Sequence, residues 1–293
     1  MNILLTGSTG FIGQYVLEQL LDEGHDVTCL LRHESKATQK INSCKIIYYV
    51  NDYKFNNEDF DQMHAIIHLA TYFTNSHKYD EINQIIESNI ILGIKLLEIA
   101  SVHKIPFINT SSYAQISIDN KGYPQNLYAA SKESFRNFMK FYSWNNNFLV
   151  FDLELFDSYG LKDLRPKFYR LAIQSFIDDK QFGMSYGEQE ICLIHVSDIS
   201  AAIVHSLSLI DQRPEFYSWT LFNQSSTIKI KDLSLLIREL CNSNTKIQFG
   251  YYPYRVNEIF KMNSTFTKLP SWAPKVSLLE GLKEIIENEY RKS

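Results

Sequence analysis

Nowhere in the 293 residues does an apolar run reach the length of a membrane span, which excludes functions built on a helical passage through lipid. A strand-like run already starts at Asn2, leaving no room for a signal peptide, so the expected location is cytoplasmic. Cysteine is scarce. Cys29, Cys44, Cys192 and Cys241 lie far apart, with no C-x-x-C and no Cys/His spacing suited to a metal. They are expected as reduced core thiols, and no metal site is expected. A basic excess is also missing: 29 Lys and Arg stand against 33 Asp and Glu, a net charge of −4, so a nucleic-acid partner is not expected. There is no internal repeat and no low-complexity tract; the frequent Asn, including 145–147, reads as loop and surface composition.

Apolar residues make up 45% and charged residues 21%, the balance of a soluble globular chain long enough to bury a full core without disulfide or metal staples. Aromatics reach 14%, with 18 Tyr and 19 Phe, dense enough to suggest large flat contacts in the core or in a ligand cleft. The length fits two average domains, or one large α/β fold with an appended lobe.

Short apolar runs alternate with helical patterns through the first half. Strands are expected at 2–6, 26–31, 45–50, 65–69, 106–110 and 148–155, and helices at 11–23, 79–103 and 128–144. This alternation predicts an α/β fold, a Rossmann-type doubly wound parallel sheet with helices on both faces. After Phe156 the rhythm breaks. A helix at 163–176, a turn-rich stretch at 183–187, a strand at 191–196, helices at 197–209, 231–240 and 277–290, and a short strand at 220–223 suggest a smaller C-terminal α+β lobe. The expected division is 1–158 plus about 192–223 for the dinucleotide-binding domain, and about 159–191 plus 224–293 for the substrate lobe, with the cleft between them as default ligand site.

The first strand leads directly into Gly7-Ser8-Thr9-Gly10-Phe11-Ile12-Gly13 and then a helix. Gly7 allows the tight turn, Gly10 a close backbone approach to a pyrophosphate, and Gly13 close packing of helix on strand. Free N–H groups and the helix dipole supply the anion site. The strand–turn–helix context makes this a dinucleotide site rather than a plain turn. The second strand ends Leu30-Leu31-Arg32-His33. The acid that holds a ribose 2′-hydroxyl in NAD sites is missing there, and Arg32 suits a 2′-phosphate. NADP(H) is therefore favoured, with NAD(H) as the alternative. Asp52 either hydrogen-bonds the adenine edge or is an ordinary loop acid.

Tyr128 and Lys132 stand at i and i+4 on one helix face. With 18 Tyr, a chance Y-x-x-x-K is expected roughly once in such a chain, so position is what counts. The pair opens the helix after the fifth strand, which ends in Thr110-Ser111-Ser112, and strand C-termini form the ligand crevice of an open parallel sheet. Ser112 and Tyr128 are candidates to converge on one carbonyl oxygen. Lys132 is the candidate to lower the phenol pKa and hold ribose hydroxyls. Such a triad suits hydride transfer at a C=O/C–OH carbon, with Tyr128 as general acid or base.

Together these residues resemble the extended short-chain dehydrogenase/reductases, also called NAD-dependent epimerase/dehydratases, over nearly the whole chain. The likeness includes the glycine turn, His68-Leu69-Ala70, Ser88-Asn89, Ser111-Ser112, Tyr128/Lys132 and Tyr159-Gly160. It continues with Gly187-Glu188-Gln189, His195-Val196-Ser197-Asp198 and Trp272-Ala273-Pro274 through Glu280-Gly281-Leu282. The resemblance implies nucleotide-sugar chemistry and a cofactor site lined by Gly7, Thr9, Gly10, Phe11, Ile12, Gly13, Arg32, Asp52, Leu69 and Ala70, together with Tyr128 and Lys132. Tyr113-Ala114 stands where 4,6-dehydratases carry an Asp-Glu pair, which disfavours a dehydratase. The stretches Tyr159–Lys167 and Tyr252–Glu258 look most like the 4-keto-6-deoxy-sugar reductases, with CDP-abequose and CDP-paratose synthases as nearest members. The chain departs from the family at Glu154, where Arg is usual, at Leu161, where Pro is usual, and at Ile191-Cys192 in place of Arg-Asp. Arg255 and, more weakly, Lys167 remain as candidates to bind the substrate's diphosphate alongside Ser112 and Tyr128. Asn89 either positions a carbonyl or packs helices. His195 reads as a core histidine.

The resulting expectation is an NADPH-dependent reductase of a nucleotide-linked 4-keto-6-deoxyhexose, serving deoxysugar and polysaccharide biosynthesis. An NAD-dependent nucleotide-sugar 4-epimerase is the alternative, and a non-catalytic NADP-sensing or scaffold protein the alternative of another class. A homodimer through the helices at 79–103 and 128–144 is a further family expectation.

Overall fold

The computed structural model describes residues 1–293 except 33–37, 50–54, 75, 116–122, 256–257, 259, 263–265 and 292–293. The chain divides into two compact units, one of 1–155, 199–221 and 267–272, the other of 156–198, 222–266 and 273–293.

The first unit is built on seven parallel strands: β1 (Asn2–Thr6), β2 (Asp26–Arg32), β3 (Lys45–Tyr49), β4 (Ala65–His68), β5 (Phe107–Ser112), β6 (Val150–Leu155) and β10 (Phe216–Leu221). Their order is β10-β6-β5-β4-β1-β2-β3, all in parallel register. The order reverses between β1 and β4, so the carboxyl ends of these two strands border the crevice where such a sheet takes a ligand. Strands β1, β4 and β6 are almost wholly buried, which is why β1 and β4 read as short apolar runs, while β6 carries Asp152 and Glu154 into the interior. The seventh strand starts at Phe216 rather than at the expected 220; the aromatic run Phe216–Trp219 carries the strand signal, and Trp219 packs on Phe151 of β6.

Helix α1 (Phe11–Asp22) follows β1, and α2 (Gln39–Asn42) precedes β3. The helix expected at 79–103 is segmented. A 3-10 turn, Tyr79–Glu81, leads into α3 (Ile82–Ile86), a π turn at Glu87–Ile91 and α4 (Leu92–His103), which stops where Lys104 turns left-handed at φ +57°. Helix α5 (Leu127–Asn146) is capped by the Asn126 side chain, which accepts from Ala129 N. Leu96, Leu97, Phe107, Phe135, Met139 and Phe148 fill the layer between α4, α5 and the sheet.

In the second unit, β7 (Asp157–Tyr159) pairs parallel with β9 (Glu190–His195), which pairs antiparallel with β11 (Thr227–Lys229). Strand β9, assigned above largely to the dinucleotide domain, thus joins this small sheet and not the seven-stranded one. The turn-rich reading of 183–187 misses a short strand: β8 (Phe182–Gly183) pairs with β12 (Ile247–Gln248). Helix α6 (Phe168–Ile177) begins five residues later than the expected Asp163. Pro166 disfavours helical geometry at Arg165, and Asp163 instead binds the backbone N–H and guanidinium of Arg165. Tyr159, Tyr169, Phe176, Leu233 and Leu282 form the core with α8 (Ile230–Leu240) and α9 (Leu278–Ile285). The family-like C-terminal motif has a structural basis. Asp198, in the first turn of α7 (Val196–His205), accepts from Lys275 N (2.9 Å) and Val276 N (3.0 Å). Ser277 and Glu280 form a capping box for α9, and a Cβ at Gly281 would lie 2.5 Å from the Tyr159 hydroxyl. No helix among the described residues is long and apolar enough to cross a membrane.

Candidate active site

The glycine turn is pressed between α1 and the end of β4. Gly7 has φ +73°, and a Cβ there would stand 2.7 Å from both Ala70 N and Leu69 C. A Cβ at Gly13 would fall 2.0 Å from Gly7 O, so neither position admits a side chain without moving backbone. Gly10 N donates to Gly7 O (2.9 Å), and Gly10 caps α1 with no side chain of its own. An α-helix leaves its first N–H groups without intrahelical acceptors. Here they start at Gly10, where a Cβ would meet nothing within 4 Å but Gly7 O (3.2 Å), a backbone without side chain that fits the close approach of a dinucleotide's pyrophosphate. Phe11 and Ile12 form the first turn with Gly13, and the Thr9 carbonyl is held by Gln14 Nε2 (3.1 Å).

Thr6, at the end of β1, holds the Leu69–Ala70 backbone against which Gly7 packs. Its Oγ1 accepts from Leu69 N (3.1 Å) and Ala70 N (3.0 Å) and lies 2.9 Å from His68 Nδ1. A hydroxyl has two acceptor positions and one proton. With both acceptor positions taken, the Thr6 proton points to Nδ1, which assigns His68 as the neutral Nε2–H tautomer. His68 is fully buried, and burial, reinforced by the charge of Lys132, pushes its pKa down to about 3. Arg32 closes β2 as an exposed side chain whose Nη2 lies 3.4 Å from Ser88 Oγ. Leu31, at the position of the missing acid, is buried. Asp52 lies outside the described residues.

Strand β5 runs two residues beyond the expected Thr110, so Ser111 and Ser112 belong to it and face opposite sides. Ser112 N donates to Gln115 Oε1 (2.7 Å), and Gln115 Nε2 donates to Glu133 Oε2 (3.0 Å), which laces the end of β5 to α5 beside Lys132. Ser112 Oγ accepts weakly from Ala114 N (3.3 Å). Asn126 starts α5 so that Tyr128 falls in its first turn and Lys132 in the next. The Tyr128 ring is nearly buried and meets Phe73 edge-on, centroids 5.0 Å apart. Asn89, in the π turn, accepts from Thr71 Oγ1 and Tyr72 N and donates to Tyr72 O and Ser131 Oγ. It therefore clamps the segment after β4 onto α5, which is the packing reading of the two given above.

Around Arg136, one turn along α5 from Lys132, lies a charged layer of which sequence reading singled out only Glu154. Asp152, wholly buried on β6, accepts from Asn109 Nδ2 (2.8 Å), Ser111 Oγ (3.0 Å) and Arg136 Nε (2.7 Å). Arg136 Nη2 also donates to Ser111 Oγ (2.7 Å) and Glu154 Oε2 (3.1 Å), and Nη1 to Glu133 Oε2 (3.3 Å). Lys132 is itself buried; burial lowers its pKa to about 8, with Asp152 opposing that fall and Arg136 adding to it. A signal was present in the sequence: Asp152 and Glu154 stand two apart in an otherwise apolar strand, and two buried carboxylates on one face demand a cation. Arg136, one turn beyond Lys132, supplies it.

The remaining candidates belong to the second unit. Lys167 precedes α6 and pairs with Asp157 at 2.8 Å. Arg255 is exposed. His195 meets Ser197 Oγ through Nδ1 (2.7 Å) and packs its ring edge-on to Tyr159; burial lowers its pKa against the pull of Glu284, in line with a core histidine. Cys29, Cys192 and Cys241 are buried and Cys44 half-buried, with no disulfide among them.

Residues 3–218 match the family described as the NAD dependent epimerase/dehydratase family. The chain belongs to this family. It is thus an enzyme of short-chain dehydrogenase/reductase type, from a family that modifies nucleotide sugars. Among similar proteins, CDP-abequose synthase of Salmonella muenchen is 25% identical, over 97% of this chain and 96% of that one. The protein of the same name from Yersinia pseudotuberculosis is 24% identical over 100% of both. Among solved structures, a UDP-N-acetylglucosamine 4-epimerase of Methanobrevibacter ruminantium superposes with TM-score 0.82 at 19% identity, covering 98% and 97% of the two chains. A UDP-glucose 4-epimerase of Thermus thermophilus, solved with NAD, gives 0.77 at 17% identity, covering 98% of each. At these identities the structures share the fold.

Proposed function

We propose that this protein is an NADPH-dependent reductase that converts the C4 carbonyl of a nucleotide-linked 4-keto-6-deoxyhexose to an alcohol, in the manner of a CDP-abequose synthase. The observation that carries the reading is the likeness, over nearly the full length of both chains, to three proteins named CDP-abequose synthase. The preference for NADPH is supported by Arg32 at the end of β2, with buried Leu31 where a 2′-hydroxyl-binding acid would stand.

NADPH, when bound against the glycine turn, supplies the hydride that the carbonyl carbon takes up. The chain's part is to hold the carbonyl oxygen and to deliver one proton. In this reading the Ser112 hydroxyl donates to the carbonyl oxygen, and the Tyr128 phenol transfers its proton to that oxygen as the carbon becomes tetrahedral. Lys132 holds the nicotinamide ribose, and its positive charge favours the phenolate left on Tyr128. The proton lost by Tyr128 returns from solvent, so one NADPH and one proton are consumed for each ketone reduced. Lys167 and Arg255 are assigned to the substrate diphosphate as point and bidentate cations. The active location is cytoplasmic, and a homodimer is part of the proposal.

The test is a panel of CDP-, dTDP-, GDP- and UDP-linked 4-keto-6-deoxy sugars with NADPH oxidation followed at its absorbance band. Stoichiometric NADPH loss with one of them is expected. Interconversion of 4-epimers on a retained NAD, with no net oxidation, would instead make the protein an epimerase. Tyr128→Phe is expected to lower turnover by roughly two to four orders of magnitude while NADPH binding stays near that of the parent.

A further inference from the structure

We infer that Gln115 is a positioning residue that fixes the end of β5, and with it the Ser112 hydroxyl, against the helix that carries Tyr128 and Lys132. The inference deepens the reading above and rests on it in giving Ser112 a task in the reaction; the clamp itself stands on hydrogen-bond geometry.

The need for a clamp follows from the sheet. Phe107 N donates to Leu149 O, on the β6 side of β5. Successive N–H groups alternate between the two edges of a strand, so the Ser112 N–H falls on the opposite edge, the one that faces β4. But β4 pairs with β5 no further than His68 with Asn109, while β6 continues to pair as far as Ser112. The last residue of β5 therefore has a neighbouring strand on one side only. Gln115, buried in the turn that follows, takes the place of the missing strand: its Oε1 accepts from Ser112 N at 2.7 Å.

The other end of the same amide reaches α5. Gln115 Nε2 donates to Glu133 Oε2 (3.0 Å), and Glu133 follows Lys132 directly. The receiving carboxylate is itself held, since Arg136 Nη1 donates to the same oxygen (3.3 Å). Arg136 Nη2 donates to Ser111 Oγ (2.7 Å). Two successive residues of β5 are thus tied to α5 by separate routes, Ser111 through its hydroxyl and Ser112 through its backbone. This chemistry selects an amide at position 115. A backbone N–H only donates and a carboxylate only accepts, so the side chain between them must accept at one end and donate at the other. Ser112 Oγ accepts from Ala114 N (3.3 Å), which uses an acceptor position of the hydroxyl and not its proton. A donor aimed at an oxygen that gains charge in the transition state loses effect steeply when displaced, so the clamp acts on kcat more than on binding.

The test uses three variants of the full-length protein. Gln115→Met keeps the length and loses both hydrogen bonds. Gln115→Glu sets one carboxylate against another. Gln115→Glu combined with Glu133→Gln rebuilds the chain with donor and acceptor exchanged between the two positions, and the amide oxygen at 133 still serves Arg136. The Ser112 N–H is followed without substrate by hydrogen exchange in protein labelled with 15N-serine, its resonance assigned by loss in Ser112→Ala. Gln115→Met is expected to speed that exchange by about tenfold or more. With the panel sugar that the parent reduces, it is expected to lower kcat by about tenfold to a hundredfold. KM for the sugar and affinity for NADPH are expected to stay within about twofold of the parent. Gln115→Glu is expected to lose kcat likewise, and the double variant to return to within about threefold of the parent. A packing role predicts no such recovery, because the double variant disturbs two positions instead of one. Unchanged exchange in Gln115→Met, or a double variant no better than Gln115→Glu, overturns the inference. Should Gln115→Met fail to fold, the recovery in the double variant decides. Exchange needs no substrate, so it separates the two readings. If it speeds up as stated and the parent reduces no panel sugar, the proposed reaction fails and the hold of Gln115 on Ser112 stands. If the parent reduces a sugar and Gln115→Met keeps the parental kcat, this inference alone fails.

Discussion

Acidification should loosen the cofactor site through one imidazole. His68 is neutral in the folded chain, and its acceptor nitrogen is already engaged by the Thr6 proton. Protonating it would place an N–H against a hydroxyl whose acceptor positions are filled by Leu69 N and Ala70 N, next to the charge of Lys132. In the unfolded chain the same ring takes up a proton near its ordinary value of 6.5, whereas in the fold it resists down to about 3. The unfolded state therefore binds more protons throughout that window. Stability falls as pH drops below 6.5, and the full contribution is present above it. Each pH unit is worth about 1.4 kcal/mol, so going from pH 6.5 to about 5 costs about 2 kcal/mol, and the ceiling near pH 3 is about 5 kcal/mol. The assay is urea unfolding at a series of pH values for the parent and for His68→Asn, which cannot take up that proton. The variant will start less stable, but its curve between pH 6.5 and 5 should be flatter than the parent's by about 2 kcal/mol. Parallel curves would refute the assignment of His68 as a neutral, proton-refusing brace. Affinity for the dinucleotide should weaken over the same interval in the parent, since Gly7 packs on the Leu69–Ala70 backbone that this brace holds.

Three other outcomes follow from single contacts. Gly13→Ala places a methyl 2.0 Å from Gly7 O and should cost roughly 1–3 kcal/mol or more in urea unfolding and abolish dinucleotide binding; Gly24→Ala, at φ +76° with nothing within 4 Å, should lose only the roughly 1–2 kcal/mol of a left-handed backbone and still bind. Arg32→Ala should weaken NADPH roughly tenfold to a hundredfold in a fluorescence titration while leaving NADH nearly unchanged, and equal loss for both would remove the 2′-phosphate assignment. Asp198→Asn retains one acceptor for the two N–H groups of Lys275 and Val276 and should lower stability by about 1–3 kcal/mol, read by urea unfolding.

The parallel sheet and its glycine turn were legible because each is forced locally. A strand buried on both faces cannot hide its apolar run, and a Cβ at Gly7 or Gly13 collides with backbone from within a few residues or from the adjacent strand. That Tyr128 and Lys132 share the opening turns of the helix after β5 was legible from spacing. Boundaries failed where a side chain competed with the helix: Pro166 and the Asp163–Arg165 contacts delay α6, and the π turn around Asn89 interrupts the long helix. Arg255 and Lys167 show a different gap, since residue type alone does not say whether a cation is exposed or already paired.

The deepest gap concerns pairs. Glu154 read as a departure from the family because the usual residue there is Arg. The structure puts Arg136 of α5 against it at 3.1 Å, so the buried layer holds both a cation and a carboxylate at this point. A single charged residue in an apolar strand states that a partner exists, but only the packing of α5 on β5 and β6 says which residue it is. Had Glu154 lost its cation, the nearby Asp152 would have lost its anchor as well, since one guanidinium serves both. Substitutions at 136, 152 and 154 should therefore be strongly non-additive, and a departure at any one of them is interpretable only beside the other two.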